Sequence, residues 1–153
     1  MAKDNPGIKI IAKNKKAFFQ YEIVEKIEAG MVLTGSEVKS LRDGHGSLAD
    51  SYAVIKSGEV FLHHAHIAQY PPATYTNHEP RRTRKLLLHA REIDKLEGKL
   101  KQKGLTLIPT MIYFKKGKAK VELALGKGKQ KFDKRESIKR RETNRTIARM
   151  MKR

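Results

Sequence analysis

The chain has 153 residues, of which 34 are Lys or Arg and 16 are Asp or Glu, so its formal net charge is +18 at pH 7 and its pI is about 10.2. This excess predicts an acidic partner, with nucleic acid first and an anionic membrane surface second. No stretch approaches the ~18 apolar residues of a membrane-spanning helix and no signal peptide opens the chain, so we expect a soluble, cytoplasmic protein. The sequence contains no cysteine, which excludes disulfides, thiolate catalysis and cysteine-ligated zinc.

Alternating apolar residues near the N-terminus predict β-structure. Residues 8–11 suit a short edge strand, and residues 14–16 suit a polar, basic turn. Between 18 and 27 apolar and polar side chains alternate, which is typical of a half-buried strand. Residues 28–30 read Glu-Ala-Gly and predict a turn, after which residues 31–33 return antiparallel to that strand.

A short helix is predicted over residues 36–44. Its apolar residues are spaced by three after Ser36, and Gly44 is expected to end it. Lys39 and Arg42 are also three apart, so we expect both side chains to project from one helix face.

The rest of the body is predicted to contain two strand pairs separated by a loop and a helix. Residues 52–55 and 60–67 are expected to be strands joined by a tight turn. Residues 70–84 contain three prolines and end in a basic run, which predicts a mobile loop. Apolar residues between 86 and 100 lie at helical spacing and predict the main helix, and residues 105–125 predict the final hairpin.

These elements together predict a mainly β domain over residues 1–125. About six short antiparallel strands with one long helix before the last two favour a small closed or nearly closed barrel. The oligonucleotide-binding (OB) barrel is the nearest known architecture, and closure would remove exposed sheet edges.

Residues 126–153 form a separate, strongly basic tail, with twelve Lys and Arg against three acidic residues and hence a net charge of +9. A helix over 134–151 could be capped by Asp133, with Glu136 at capping-box spacing. The segment has no continuous apolar stripe, so we expect it to be disordered when free and ordered on a polyanion. The alternative is a solvated tail with no task, against which stands a small apolar cluster at its end: Ile147, Met150 and Met151.

The histidines at 63, 64 and 66 raise the question of a metal site. No carboxylate or cysteine lies nearby in sequence to complete one, so half-buried strand histidines are the default interpretation. RNA cleavage by a histidine pair is the weakest alternative, since no nucleophile motif accompanies it. No stretch completes a phosphate-binding loop either. We therefore predict no catalysis, no cofactor and no small-molecule substrate.

What remains is nucleic-acid binding. Cations from separated turns could line one rim of the domain: Lys15, Lys39, Arg42, Arg84 and Lys85. Each could equally be an ordinary solvated surface residue. Asn14 and Glu28 could add specific hydrogen bonds among these charges. Near phosphates Glu28 would have to accept from base or ribose donors, whereas elsewhere it would merely end a strand.

Several of these stretches resemble the family of small protein B, the SsrA-binding protein and partner of transfer-messenger RNA. The resemblance runs from about residue 11 to 153. It is carried by Glu28-Ala29-Gly30 with Gly35, Glu37 to Arg42, Asp50-Ser51-Tyr52, Arg82 to Leu88, and Asp133-Lys134-Arg135. It implies an OB-like barrel of six antiparallel strands with three helices, and a tail without structure until it meets the ribosome.

The resemblance also implies a function, that of an adaptor in trans-translation. The body would bind the tRNA-like domain of transfer-messenger RNA, in place of an anticodon arm, and bring it to a stalled ribosome so that the nascent chain is tagged. The body contacts would fall on Asn14, Glu28 and Leu87. A ribosomal or ribosome-assembly protein that binds ribosomal RNA directly is the alternative.

The resemblance places four tail residues at the ribosomal decoding centre and two in the message channel. The first four are Phe132, Asp133, Lys134 and Arg135, and the other two are Met150 and Met151. Lys127 and Lys129, at the start of the basic tail, are also expected to bind the ribosome. Two of the tail residues differ from some relatives. Phe132 stands where a His is found, which keeps base stacking but not a hydrogen bond, and Met150 stands where an Ile is found, which keeps apolar packing.

Overall fold

The computed structural model of the chain describes residues 7–72, 77–102, 104–129 and 131–151, and it describes the side chains of all of these but 131–137 and 151. The strands are β1 (Ile8–Lys13), β2 (Tyr21–Met31), β3 (Gly46–Ser47), β4 (Tyr52–Lys56), β5 (Glu59–His63), β6 (His66–Ile67), β7 (Arg84–Leu87), β8 (Leu105–Lys115) and β9 (Lys118–Gly128). The helices are α1 (Lys15–Gln20), α2 (Gly35–Arg42), α3 (Ala90–Leu100) and α4 (Lys131–Met151). The prediction of a mainly β chain with several helices is confirmed.

Seven strands form one antiparallel sheet in the order β1-β8-β9-β2-β7-β5-β4, and β3 pairs with β6 in a separate ribbon. In the described ranges no ladder joins the edge strands β1 and β4, so the sheet is open. The prediction was a closed or nearly closed barrel of six strands; the strand number is wrong, and the barrel is not closed. β4 nonetheless contacts β8, the neighbour of the opposite edge strand, so the sheet curls toward itself.

The segment from residue 14 to residue 33 differs most from its prediction. The expected turn at 14–16 is the start of α1, which Asn14 caps, and the strand expected from residue 18 begins at Tyr21. No turn occurs at 28–30, because β2 runs on to Met31 and its last residues pair with a second neighbour, β7. Tertiary pairing thus overrides the local turn preference of Glu-Ala-Gly.

β7 is a strand of the main sheet that the sequence prediction missed, as it also missed the short β3. Its four residues are buried and exposed in alternation, which is the pattern of a strand, and it lies between β2 and β5. Leu86, predicted as part of the main helix, belongs to this strand. The helix α3 starts at Ala90, where the backbone N–H of His89 donates to Oε1 of Glu92 at 3.1 Å.

The final hairpin is confirmed, and its second strand is longer than predicted. β9 continues past Leu125 to Gly128, whose partner on β2 is Tyr21. The predicted boundary between domain and tail after residue 125 therefore falls inside a strand. The backbone N–H of Lys129 still donates to the carbonyl oxygen of Gln20 at 2.9 Å, so the body extends to this residue.

The tail beyond Lys129 forms one helix, α4, which begins at Lys131 rather than at residue 134. Asp133 therefore lies inside the helix and is not its cap. The guanidinium of Arg141 lies 5.4 Å from the ring centroid of Phe19, a contact between the tail and α1. Ordering of the tail on a polyanion stays a prediction. Among the described helices, none is long and apolar enough to cross a membrane.

The hydrophobic core lies on one face of the sheet, beneath α2 and α3. The residues that are almost completely buried there include Leu41, Leu48, Val60, Leu62, Ile67, Leu86, Leu107, Ile112, Val121, Leu123 and Leu125. On the opposite face α1 covers a smaller cluster formed by Ala17, Ile108 and Ala124.

A buried ion pair lies at the edge of the core. Glu37 of α2 and Arg84 of β7 both have fully buried side chains, and Nε of Arg84 donates to Oε2 of Glu37. Arg82 donates from Nη2 to the other carboxylate oxygen at 2.6 Å, and the backbone N–H of Thr34 donates to it at 2.9 Å. Burial works to raise the pKa of Glu37, but Arg82, Thr34 and Arg84 outweigh it and hold that pKa below 4.5.

The remaining donors of Arg84 are also used inside the protein. Nη1 donates to the carbonyl oxygen of Ala65 at 2.6 Å, and Nη2 donates to that of Pro80 at 3.0 Å. The pair therefore ties α2, β7 and the segments on both sides of β6 to one another. Because buried charges are tolerated only when they are paired and hydrogen-bonded, this cluster constrains all of these segments at once.

We predict that Glu37→Gln lowers the free energy of unfolding by about 3 to 5 kcal/mol, since it leaves the charge of Arg84 buried without a counter-charge. Glu59→Gln is the control. Glu59 pairs with Lys85 at 3.2 Å on the surface, both side chains are about half exposed, and its loss should cost about 0.5 kcal/mol or less. Urea unfolding of both variants measures the difference.

The contribution of the Glu37–Arg84 pair to the free energy of unfolding depends on pH, and its direction follows from the lowered pKa of Glu37. A lowered carboxyl pKa in the folded state means that the stabilisation is present above 4.5 and is lost as the pH falls below it. Glu37→Gln should therefore flatten the acid side of the stability profile. Equal losses in the Glu37 and Glu59 variants would contradict the role given to the pair.

Candidate nucleic-acid interface

The face of the sheet opposite the core carries a group of polar side chains on three adjacent strands, β8, β9 and β2. β9 lies between β8 and β2, and residues that alternate with the core residues point away from the core. We call this set the polar face; its members are Glu28, Tyr113, Lys115, Lys120 and Glu122. Glu28 and Glu122 are direct neighbours across β2 and β9, so two carboxylates lie side by side in a strongly basic protein.

Glu28 is held by donors that reach across β9 from β8. The hydroxyl of Tyr113 donates to Oε2 of Glu28, and Nζ of Lys115 lies 3.5 Å from the same oxygen. The Tyr113 hydrogen bond is the largest cause of the lowered pKa of Glu28, and Lys115 and Lys120 lower it further against the effect of burial. Glu28 is thus a stable acceptor, with its side chain 38% exposed.

A groove of about 780 Å³ lies beside Glu28, where β2, β7 and the β8–β9 turn meet the start of α3. Leu87, 53% exposed, lines it together with Glu28. Two residues that the sequence analysis assigned to RNA therefore line one groove. Lys118 and Lys120 supply cations at the same groove. An apolar side chain, an acceptor and cations in one place suit a nucleotide, which offers a base, donor groups and phosphates.

Asn14 lies elsewhere, and its side chain is used within the protein. Its Oδ1 accepts from the backbone N–H of Ala17 at 3.3 Å and so caps α1, and its Nδ2 donates to the carbonyl oxygen of Pro109 at 3.0 Å. It lines a smaller pocket of about 240 Å³ with Tyr21 and Tyr52. Asn14 therefore positions α1 whatever else it contacts.

The predicted cations lie on separate elements. Lys15 is on α1, Lys39 and Arg42 are in the last turn of α2, and Lys85 is on β7, and all four are exposed. Nζ of Lys39 lies 5.8 Å from the ring centroid of Tyr70. Their assignment to phosphate stays a prediction.

Arg84 requires a correction. It was expected to contact phosphate, but its side chain has no exposed surface and its Nε, Nη1 and Nη2 all donate to acceptors within the protein. The alternation along β7 turns its neighbour Lys85 outward and Arg84 inward. The side chain of Arg84 is therefore a structural element of the core and is not available to RNA in this structure.

The histidines also divide into separate environments. In the part of the chain that the structure describes, no group of three or more His, Asp or Glu side chains could hold a metal ion. His63 stacks on Tyr52 with ring centroids 5.2 Å apart. The sequence analysis missed His78, which is buried: Nδ1 lies 2.8 Å from Oγ of Ser36, and Nε2 lies 2.8 Å from the carbonyl oxygen of Ile67.

The tail residues are described only in part. Lys127 is exposed, and Nζ of Lys129 donates to the carbonyl oxygen of Phe18 at 3.1 Å. Met150 is 71% exposed. The other predicted tail contacts lie outside the side chains that the structure describes: Phe132, Asp133, Lys134, Arg135 and Met151.

The sequence analysis also missed the donors that hold Glu28. The alternation of Lys118, Lys120 and Glu122 with core residues was visible in β9, so their place on one face could be foreseen. The position of Tyr113 could not, because it depends on the order of three strands.

These features define a class: a small, basic, antiparallel β protein with a polar sheet face and a groove beside it. The particular family follows from comparison with known proteins. The family model described as "SmpB protein" matches residues 11–153. The chain belongs to the SmpB family, and the resemblance noted from its motifs is confirmed.

Two curated relatives and one solved structure illustrate this membership. The SsrA-binding protein of Syntrophobacter fumaroxidans is 57% identical over 157 residues, which cover all of this chain and 98% of the relative. The SsrA-binding protein of Nostoc punctiforme is 54% identical over 153 residues, 99% of each chain. A solved structure described as "tmRNA-SmpB: a journey to the center of the bacterial ribosome" is 47% identical with a TM-score of 0.66, covering 82% of this chain and 92% of its own.

We predict that Asn14→Ala lowers the free energy of unfolding by about 1 to 2 kcal/mol, because it removes a helix cap and a hydrogen bond to β8. Lys15→Ala, at the next and exposed position, should change stability by about 0.5 kcal/mol or less. Urea unfolding followed by circular dichroism measures both. An Asn14→Ala protein as stable as the Lys15→Ala control would contradict the capping role.

Proposed function

We propose that this protein is an RNA-binding adaptor of trans-translation. It binds the tRNA-like domain of transfer-messenger RNA (SsrA), stands in for the anticodon arm, and delivers the RNA to stalled ribosomes, where the nascent chain is rescued and tagged. The observation that carries the proposal is membership of the SmpB family over residues 11–153, together with a groove that unites Glu28 and Leu87. Relatives named SsrA-binding protein, which match this chain over nearly their full length, support the proposal.

Within the body, the exposed cations and the groove with Glu28 and Leu87 are suited to different parts of the RNA. Exposed lysines and arginines attract phosphates without regard to sequence. Glu28 repels phosphates and accepts hydrogen bonds, so it favours a site where a base or ribose presents a donor. Leu87 offers an apolar surface beside it. Binding of this kind requires no catalytic group, so we propose an adaptor without enzymatic activity.

We also propose that the sheet is a variant of the OB type. Its curl brings β4 against β8, although no ladder joins the two edges. The tail has a different task in this proposal. It meets the small-subunit decoding centre and the message channel, and its partner is ribosomal RNA. The whole complex works in the cytoplasm.

The alternative is a ribosomal or assembly protein that binds ribosomal RNA directly. The RNA that copurifies with the protein separates the two functions. An adaptor should carry one structured RNA in large excess over bulk ribosomal RNA, and it should be substoichiometric to ribosomes. One copy per ribosome would favour the alternative.

We predict that cations and Glu28 respond differently to salt. Lys39→Ala or Arg42→Ala should weaken binding of the tRNA-like domain, and each lost phosphate contact should lower the slope of log affinity against log salt by about 0.7 to 0.9. Glu28→Ala should weaken binding at an unchanged slope, because it removes an acceptor and no cation. Gel shifts at several salt concentrations measure both effects.

The control for the salt experiment is Glu97→Ala, which removes an exposed acidic side chain from α3. Its affinity should equal or slightly exceed that of the unmodified chain. Tighter binding by Glu28→Ala than by Glu97→Ala would mean that Glu28 only repels phosphate, and its assignment to the interface would fail.

We predict that a chain ending at Lys129 folds, binds the tRNA-like domain with modest loss, and no longer supports tagging. It keeps all of β9 and a net charge of +11, because the removed residues carry only +7. Within the full chain, Met150→Asp with Met151→Asp should impair tagging more than Arg145→Gln with Arg149→Gln. The first change places charge at an apolar contact, whereas the second only weakens a redundant positive field.

RNA affinity is measured by gel shift, and tagging is measured in a reconstituted translation system. The two measurements test the role of the body and the role of the tail separately. Normal tagging by the shortened chain would show that the tail is dispensable. Complete loss of RNA binding would make the tail, rather than the sheet, the element that recognises the RNA.

A further inference from the structure

The two side chains that hold Glu28 both approach the same one of its two carboxylate oxygens. Tyr113 and Lys115 both approach Oε2, while Oε1 of Glu28 accepts no hydrogen bond from the described residues. The Glu28 side chain is 38% exposed, so Oε1 is accessible to a ligand. One carboxylate oxygen is anchored and the other is available.

The anchor itself is rigid. Tyr113 is only 6% exposed, so its ring is enclosed by other protein atoms. It alternates on β8 with the core residues Ile112 and Phe114, so its hydroxyl lies on the polar face opposite the core. Glu28 in turn has three rotatable side-chain bonds, and an unanchored carboxylate on a basic surface would pair with whichever lysine lies nearest.

We propose that Tyr113 is a positioning residue for RNA recognition, which holds Oε2 of Glu28 so that Oε1 faces an exocyclic amino group of a base or a ribose 2′-hydroxyl. This inference rests on the proposed function and concerns the same groove. It assigns a role in specificity to a residue that is itself almost completely buried.

The charged groups around Glu28 favour its ionised form, and Tyr113 contributes most. The titratable side chains that neighbour Glu28 or line its groove come from three elements: Tyr113 and Lys115 on β8, Lys118, Lys120 and Glu122 on β9, and His89 and Glu92 at the start of α3. Loss of the Tyr113 hydroxyl should raise the pKa of Glu28, because the largest cause of its lowering is removed. RNA binding would then be lost at a higher pH than in the unmodified chain.

The test uses the full chain and a transcript of the tRNA-like domain of transfer-messenger RNA. Tyr113→Phe should weaken binding roughly five- to tenfold, as expected for the loss of a charge-assisted hydrogen bond, at an unchanged salt slope. Lowering the pH toward 4.5 should weaken the variant earlier than the unmodified chain. In a Glu28→Ala background the same change should have no further effect.

Thr110→Val is the matched control. The hydroxyl of Thr110 donates to Oε2 of Glu122 at 2.6 Å, so the change removes a hydroxyl-to-carboxylate bond on the same strand but not the one at Glu28. Its pH profile should match that of the unmodified chain, and any loss of RNA affinity should be smaller than that of Tyr113→Phe and should persist in the Glu28→Ala background. Thermal melting of each variant separates a folding defect from a binding defect.

Three outcomes are informative. A Tyr113→Phe chain that binds like the unmodified one, or that loses as much affinity in the Glu28→Ala background, would overturn the positioning role. An equal loss in Thr110→Val would reduce the effect to general weakening of the sheet. If the unmodified chain fails to bind the transcript, the proposed function fails, and that result is distinct from a failure of the Tyr113 inference.

Discussion

The buried pair of Glu37 and Arg84 is the constraint on which the groove beside Glu28 depends. Glu37 fixes α2, and Arg84 is the first residue of β7, whose Leu87 pairs with Gly30 near the end of β2. Because Glu28 lies two residues before Gly30, the pair indirectly sets the distance between the apolar and the acidic side of the groove. A purely apolar contact could bury the same area, but it would not fix the orientation of both elements through directed hydrogen bonds.

The sequence allowed much of this fold to be predicted, and its failures have identifiable physical causes. The edge strand, α2 and the final hairpin follow from periodicity alone. The turn expected at 28–30 is absent because β2 gains a second partner there, and no local pattern contains that partner. Arg84 was assigned to the surface because it stands in a basic run; only the two-residue alternation of β7 shows that it points inward.

The candidate site, too, could be predicted only in part from the sequence. Glu28 and Leu87 were identified through the family motifs, and the structure brings them to one groove. Tyr113 lies 85 residues from Glu28 in sequence, and it reaches that carboxylate only because β9 separates their strands. A chain of +18 can attract RNA with almost any surface. Acidic side chains held in fixed positions are therefore the features that can restrict which RNA it accepts.

The central claim is that the sheet face, and not the tail, recognises the RNA. Oxidative footprinting of the full chain with and without the tRNA-like domain tests it directly, because each region carries an exposed, oxidisable reporter: Leu87 at 53% and Met150 at 71% exposure. The account predicts that bound RNA protects Leu87 and leaves Met150 as reactive as in the free protein. Protection of Met150 with no change at Leu87 would contradict it.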